Sequence, residues 1–161
     1  MHVNVCVRLG ALLLIVGACA SAPAESLTRE EQANRQLVLA LTKAMQEHNV
    51  PLAAGFLEEG YIQHNPMVPT GKAGFVKFFS GLWKDGPLPS KEAMPNPPVL
   101  VVTEGEIVIL MFRRATPEPG DPSKTYDSFW FDAYRVASEK IAEHWDPLTK
   151  PPVGAKPAPA E

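Results

Sequence analysis

Four ionisable side chains near the C-terminal end of the folded region could carry acid/base chemistry. Asp132 and Tyr134 are two residues apart in a segment with β-type patterning, so their side chains share one face of a strand. His144 and Asp146 have the same spacing in the next such segment. An imidazole close to a carboxylate can take a proton from a carbon next to a carbonyl group. These residue types therefore indicate a candidate site for proton transfer.

Other chemistries find little support in the sequence. Among the candidate ligands His64, Asp132, His144 and Asp146, the only closely spaced pair is His144-x-Asp146, which is weak evidence, so we expect no metal and no cofactor. The chain has no Gly-rich phosphate loop and no G-x-S-x-G nucleophile elbow. A formal net charge of -3 argues against a nucleic-acid partner, because nucleic-acid-binding domains normally carry a basic excess.

Residues 1–24 have the order of an export signal. A short segment that ends in the cation Arg8 precedes the almost wholly apolar residues 9–18, and small residues follow them. The apolar run is too short to span a bilayer as a helix. We therefore expect an exported protein.

The word VGAC at residues 16–19 resembles a bacterial lipobox, in which the cysteine is acylated after cleavage. We predict a signal peptide over 1–18 and lipidation at Cys19, and we expect this anchor to be the only attachment to a membrane. By resemblance to enterobacterial lipoproteins, Ala20 favours the outer membrane. Cleavage near residue 24, which would give a periplasmic or secreted protein, is the alternative.

One domain is expected between two flexible segments. Residues 19–26 form a short tether, and residues 148–161 form a tail rich in Pro and Ala that is expected to be extended or disordered. Residues 27–147 remain as a single domain of ordinary size. Both cysteines lie in the first 19 residues, which excludes a disulfide-built scaffold.

The first half of this domain is predicted to be helical. Thr28 followed by Glu31 is typical of a capping box, and apolar residues at helical spacing follow it. A second, short helix is expected over 52–57 and a third from Gly71 to Trp83. Between them, residues 61–66 are predicted to be extended, because the residue before a proline avoids the α region.

The second half is predicted to be β-structure. The pattern indicates strands over 99–102, 107–113, 126–136 and 141–146, with a loop over 116–124. Three helices followed by strands joined as hairpins define an α+β fold with an antiparallel sheet of about four strands.

With these elements in order, the sequence over 35–147 resembles the SnoaL-like branch of the NTF2-like superfamily. The resemblance implies a cone in which three N-terminal helices pack on a curved antiparallel sheet around one cavity. It rests on four words in the sequence: YIQHNP at 61–66, Gly71 with Phe78-Phe79, FDAYRV at 131–136 and KIAEHWD at 140–146.

The resemblance also bears on the reaction. In ketosteroid-isomerase relatives the general base precedes a proline, where this chain has Asn65, and the oxyanion tyrosine lies where this chain has Leu41. Asp132 matches the aspartate that completes the oxyanion hole. The isomerase base is thus missing, which makes aldol or cyclisation chemistry, as in SnoaL-like cyclases, the nearer analogy.

The resemblance implies that the polar residues of the last two strands line the cavity. Alternation allows only one of His64 and Asn65 to face it. Asp132 as a carboxylate paired with an arginine, and His144 as a core histidine, are the structural alternatives. The predicted catalytic residues are His64, Asp132, His144 and Asp146, and the predicted ligand-binding residues are Asn65, Trp83, Tyr134 and Trp145.

Two functions follow as hypotheses. The first is an exported SnoaL-like protein that binds a small, mostly apolar or carbonyl-containing ligand and performs aldol-, cyclase- or isomerase-type acid/base chemistry. The alternative is a non-catalytic NTF2-like binding or scaffolding module at the cell envelope, and whether the protein is an enzyme stays open between them. Phe129, Phe131 and Ala133 share the opposite face of their strand and could support a homodimer through the sheet.

Overall fold

The computed structural model describes residues 26–151 of the chain. The predicted signal peptide, the lipidation site at Cys19 and most of the predicted tail lie outside these residues. Within the described range, no helix is both long enough and apolar enough to cross a membrane. The elements are α1 (Arg29–Gln46), α2 (Val50–Gly55), β1 (Leu57–Gln63), α3 (Lys72–Leu82), β2 (Leu100–Glu104), β3 (Ile107–Glu118), β4 (Asp121–Ala137) and β5 (Lys140–Trp145).

Helix α1 begins at the predicted capping box. The Glu31 backbone N–H donates to the Thr28 hydroxyl over 3.1 Å, and the Thr28 N–H donates to Glu31 Oε2 over 2.8 Å. The other carboxylate oxygen of Glu31 accepts from the Gly105 N–H over 2.9 Å. The start of α1 is therefore tied to the turn between β2 and β3, which orients the helix across the sheet.

The sheet has five strands in the order β1-β5-β4-β3-β2, where four antiparallel strands were predicted. The additional strand is β1, which pairs in parallel with β5, while all other pairs are antiparallel. The cause is the free edge of β5, whose backbone groups need partners. The Ile141 N–H donates to the Phe56 carbonyl over 2.8 Å, and the His64 N–H donates to the His144 carbonyl over 3.0 Å.

Helix α2 lies two residues earlier than predicted. Asn49 caps it, because its side-chain oxygen accepts from the Leu52 N–H over 3.1 Å. The residues after Gly55 that were predicted to complete the helix instead enter β1, where Leu57 is buried.

The hairpin of β3 and β4 is longer than predicted, and the expected loop over 116–124 is largely strand. The ladder continues to the pair Glu118 and Asp121, so only two residues form the turn. A hydrogen bond between the Thr116 and Ser128 hydroxyl groups helps to hold this extension together. Because β4 pairs with both β3 and β5, it lies in the middle of the sheet, where it carries Asp132.

The two faces of the sheet differ in their cover. The helices pack on the inner face around fully buried side chains that include Val38, Leu57 and Leu110. On the outer face of β2, β3 and β4 several large apolar side chains stay exposed: Leu100, Val102, Ile109, Phe129 and Phe131.

Candidate functional site

Three polar side chains meet on the inner face of the sheet. One ligand-type atom from each of Asp132, His144 and Asp146 lies within 4.8 Å of the others, and we call these residues the Asp132 group. Antiparallel pairing of β4 with β5 sets Tyr134 opposite His144. Asp132, two residues before Tyr134 on the same face of β4, therefore lies beside His144. The strand register therefore assembles side chains from two neighbouring strands into one polar centre.

Asp132 has two hydrogen-bonding neighbours in this centre. Its Oδ1 accepts from the Trp130 indole N–H over 2.9 Å and lies 3.3 Å from His144 Nε2. The Arg114 guanidinium lies over the Trp130 ring, 4.1 Å from its centroid. Arg114 thus packs on the ring whose N–H group holds the Asp132 carboxylate.

His144 is 9% exposed and is held from two sides. Its Nδ1 lies 2.9 Å from Gln63 Oε1, and its ring packs against the ring of Tyr134 with centroids 4.7 Å apart and planes tilted by 33°. These contacts fix the plane of the imidazole and aim Nε2 at Asp132. In histidines that transfer protons, a hydrogen bond at one ring nitrogen commonly orients the ring and sets the role of the other nitrogen, and Gln63 is placed to do this for His144.

Asp146 is held by the segment that leaves β1. Its Oδ2 accepts from the Asn65 amide over 2.6 Å, and its Oδ1 accepts from the Leu148 N–H over 2.9 Å. Asn65 Oδ1 in turn accepts from the Met67 N–H over 2.8 Å, which closes an Asx turn. Asn65 thus faces the Asp132 group, and its amide holds a carboxylate of that group.

Two buried phenols border the group and stay protonated. Burial, followed by electrostatic interactions with Asp132, Tyr61 and Asp146, raises the pKa of Tyr134 well above its ordinary value, against a smaller lowering from a hydrogen bond with Thr42. Burial also raises the pKa of Tyr61, with Asp146 and Asp132 adding to the effect. Both hydroxyl groups are therefore available only as neutral hydrogen-bonding groups.

The structure places His64 and Trp145 on the outer face, away from the Asp132 group. Successive residues of a strand alternate, so Gln63 and Asn65 turn inward and His64 turns outward. The His64 ring stacks on Trp145 with centroids 4.9 Å apart, and its Nε2 lies 2.9 Å from Glu143 Oε2.

Glu143 also pairs with Arg135 on this outer face. The Arg135 Nε–H donates to Glu143 Oε1 over 2.7 Å. The hydrogen bonds from His64 and then Arg135 lower the pKa of Glu143, against a smaller effect of burial. His64 was predicted to be catalytic, but in the structure its contacts with Trp145 and Glu143 hold it on the outer face of the sheet.

Trp83 also lies apart from the group. It follows the end of α3 and stacks on His48, with ring centroids 4.4 Å apart and planes within 4°. The predicted ligand-binding tryptophans thus both pack against histidines at other points of the fold.

Three residues of the polar centre were not among those predicted from the sequence: Tyr61, Gln63 and Trp130. The signal for them was available, because a period of two places Tyr61 and Gln63 on the face of Asn65, and Trp130 on the face of Asp132. Residues 61–66 were predicted to be extended, but the sequence did not indicate that residues 57–63 form a strand of the sheet.

Two surface grooves lie at another part of the domain. One of about 530 Å³ runs between the start of α1 and the turn from β4 to β5, where Asn34, Glu106 and Val136 line it. The other, of about 460 Å³, adjoins it along α1. Neither groove is lined by the Asp132 group, so a cone-shaped cavity around that group stays a prediction.

Comparisons with known proteins define the fold. A protein described as a SnoaL-like polyketide cyclase, from Jannaschia sp. CCS1, superposes with a TM-score of 0.54 at 17% identity over 77% of this chain and 92% of that one. A protein described as a ketosteroid isomerase, from Kribbella flavida DSM 17836, gives 0.52 at 14% identity over 82% and 94%. TerC, co-crystallised with polyporic acid, gives 0.51 at 12% identity over 73% and 92%.

Sequence comparison finds no matching family model and no matching curated protein. At these identities the structural likeness concerns the fold and leaves the reaction open. The structural neighbours of this chain are SnoaL-like polyketide cyclases and ketosteroid isomerase-like proteins, and the chain has their NTF2-like fold. The resemblance predicted from the four sequence words is confirmed at this level.

Proposed function

We propose that this protein binds a small, mostly apolar, carbonyl-containing ligand at the Asp132 group and performs acid/base chemistry of the aldol, cyclase or isomerase type on it. The observation that carries the proposal is the contact of His144 Nε2 with Asp132 Oδ1 at 3.3 Å on the inner face of the sheet. An imidazole and a carboxylate in contact can share one proton and exchange it with a bound substrate.

The roles of the neighbours follow from their hydrogen bonds. Asp132 is held by the Trp130 N–H, so its carboxylate stays directed at the imidazole. Asp146 is held by the Asn65 amide, which keeps its carboxyl group beside the His144 and Asp132 pair. The protonated phenol of Tyr134 packs against His144, which supplies an apolar wall beside the polar centre.

The proposed step balances as a proton transfer. His144 Nε2 takes a proton from the carbon next to the carbonyl group, and the electron pair of that C–H bond moves into an enolate. The imidazolium then pairs with Asp132 and returns the proton to carbon or to oxygen. Cyclisation or aldol addition would follow when the enolate carbon attacks a second carbonyl group.

A proton-exchange assay tests this step. β-Tetralone, an apolar ketone with acidic C–H groups, is incubated with the protein in D₂O, and loss of the α-proton signal is followed by ¹H NMR. We expect exchange above the buffer rate, and a loss of roughly 10²-fold or more in Asp132→Asn and His144→Gln. Asp127→Asn on the exposed part of β4 is the matched control and should exchange like the wild type.

Binding is measured separately with polyporic acid, the compound present in the TerC crystals. Its addition should shift the Trp130 indole and His144 signals in ¹H–¹⁵N spectra. Binding without exchange would support a module that holds ligands without turnover. The absence of both binding and exchange would refute the ligand-binding proposal at this site.

A second candidate function is a non-catalytic binding or scaffolding module that acts as a homodimer. The observation that favours it is the outer face of the sheet, where Phe129 and Phe131 are about half exposed beside other apolar side chains. A face of this kind is typical of a protein interface. Its test is the oligomeric state of the protein.

Export and lipidation at Cys19 belong to the same proposal. They are supported by the sequence of residues 1–24. Mass spectrometry of the mature N-terminus in a bacterial host is the test. An acylated Cys19 in the outer-membrane fraction supports the lipoprotein, a soluble N-terminus near residue 25 supports free export, and an intact Met1 refutes both.

A further inference from the structure

His144 faces a hydrogen-bond acceptor on each side. Nδ1 lies 2.9 Å from Gln63 Oε1, and Nε2 lies 3.3 Å from Asp132 Oδ1. A neutral imidazole has a single N–H group, so in that form only one of the two nitrogens can donate. The surroundings must therefore decide which nitrogen keeps its proton and which one exchanges it.

The orientation of the Gln63 amide is fixed by the backbone. The Asn65 N–H donates to Gln63 Oε1 over 3.0 Å, and a backbone N–H can only donate. If the amide turned over, its NH₂ group would face this N–H, and two donors would meet. The Gln63 NH₂ group is already used, because it donates to the Tyr61 hydroxyl over 3.1 Å. Gln63 thus presents an oxygen to His144, and Nδ1 must carry a hydrogen to bond with it.

Asp132 competes for the same proton, because a carboxylate is a stronger acceptor than an amide oxygen. Geometry opposes this competition. The contact to Asp132 is longer by 0.4 Å (3.3 Å against 2.9 Å), and Asp132 Oδ1 already accepts from the Trp130 N–H. If Nδ1 were deprotonated, its lone pair would face Gln63 Oε1 at 2.9 Å, and among the described residues that oxygen would keep only the Asn65 N–H as a donor. In the Nδ1–H form the corresponding lone-pair contact is the longer one, from Nε2 to Asp132 Oδ1 at 3.3 Å.

We propose that Gln63 is a positioning residue that keeps a proton on His144 Nδ1, so that Nε2 is the nitrogen that gains and loses a proton against Asp132. This inference rests on the proposed function, since it assigns the exchanging atom of the same site. In the protonated pair, one proton lies between Nε2 and Oδ1, and this is the proton that a ligand can receive. Nδ1–H stays bonded to Gln63 in both protonation states.

The tautomer of His144 is measured directly by NMR. Full-length protein with ¹⁵N-labelled histidine gives long-range ¹H–¹⁵N correlations that separate Nδ1–H from Nε2–H. The spectra are recorded at alkaline pH to select the neutral imidazole, with His48 and His64 as internal references. We expect the Nδ1–H pattern for His144. An Nε2–H pattern in the wild type would overturn the proposal without any variant.

Two substitutions at one position separate positioning from packing. In Gln63→Leu the acceptor is lost, so the proton should move to Nε2 and donate to Asp132. In Gln63→Glu an acceptor stays at the same place, so the Nδ1–H pattern should be retained. Gln32→Leu, which removes an exposed amide at the start of α1, is the matched control and should leave the His144 signals unchanged.

The outcomes decide whether Gln63 positions the proton of His144 or only packs against its ring. Nδ1–H in Gln63→Leu, or Nε2–H in Gln63→Glu, would show that Gln63 only fills space. If Gln63→Leu fails to fold, the wild type and Gln63→Glu still decide. No ligand enters these spectra, so a failure here is distinguishable from a failure of the β-tetralone assay, which would refute the acid/base chemistry of the proposed function instead.

Discussion

Replacing Phe131 by alanine tests whether the outer face of the sheet joins two copies of the protein. Phe129 and Phe131 are 50% and 47% exposed, and they alternate with inward residues on β4. Across the neighbouring strand, Phe131 pairs with Met111, which in turn pairs with Leu100 on β2. A second copy laid on this surface would cover an apolar strip that crosses three strands.

The size of the effect follows from the area that is available. A buried phenylalanine removes about 150–250 Å² from water, so a half-exposed one still has about 100 Å² to lose. At about 25 cal/mol per Å², this area is worth about 2.5 kcal/mol for each copy and about 5 kcal/mol for a symmetric dimer. Since about 1.4 kcal/mol is tenfold in affinity, the upper bound is about 4000-fold. Side-chain ordering reduces it, and we expect dissociation to become roughly 10²- to 10³-fold easier.

Sedimentation equilibrium over a wide concentration range is the assay. We expect the wild type to dimerise and Phe131→Ala to dissociate at far higher concentration. Leu52→Ala is the matched control, because Leu52 is 48% exposed on α2, away from the sheet. A wild type that stays monomeric at about 100 μM, the range in which weak contacts are populated, would refute the reasoning. So would a loss of affinity in Leu52→Ala equal to that in Phe131→Ala.

Three further predictions concern stability. The hydrogen bonds from His64 and Arg135 hold the pKa of Glu143 below its ordinary value of 4.5, so they stabilise the fold above pH 4.5, and this stabilisation is lost as the pH falls through the lowered pKa. Calorimetry should show that Glu143→Gln lowers the melting temperature near neutral pH and that this difference shrinks in acid. A difference that grows in acid would contradict the assignment. Leu110 is fully buried, so Leu110→Ala should cost about 3–5 kcal/mol in urea denaturation, and a cost below about 1 kcal/mol would place it outside the core. Because we expect no metal, dialysis against a chelator should leave the melting temperature unchanged, and a fall of several degrees would locate a stabilising ion, for which the Asp132 group would be the first place to look.

The local signals in the sequence were sufficient for much of the fold. The pair Thr28 and Glu31 specifies the start of α1, because a capping box is made by residues three apart and needs nothing else from the chain. The period of two places Asp132 with Tyr134 and His144 with Asp146, because side chains of a strand alternate whatever its neighbours are. The same rule predicted that His64 and Asn65 would point to opposite faces, which the structure shows.

Long-range pairing was decided only by the tertiary structure. Gln63 reaches His144, and Asn65 reaches Asp146, across 81 residues of sequence. These contacts exist because β1 pairs in parallel with the free edge of β5. Backbone hydrogen bonds join strands with little regard to side-chain type, so the pattern of residues 57–63 carries no mark of the partner strand. The sequence therefore determined which side chains share a face, and the register of β1 on β5 decided which of them meet in one site.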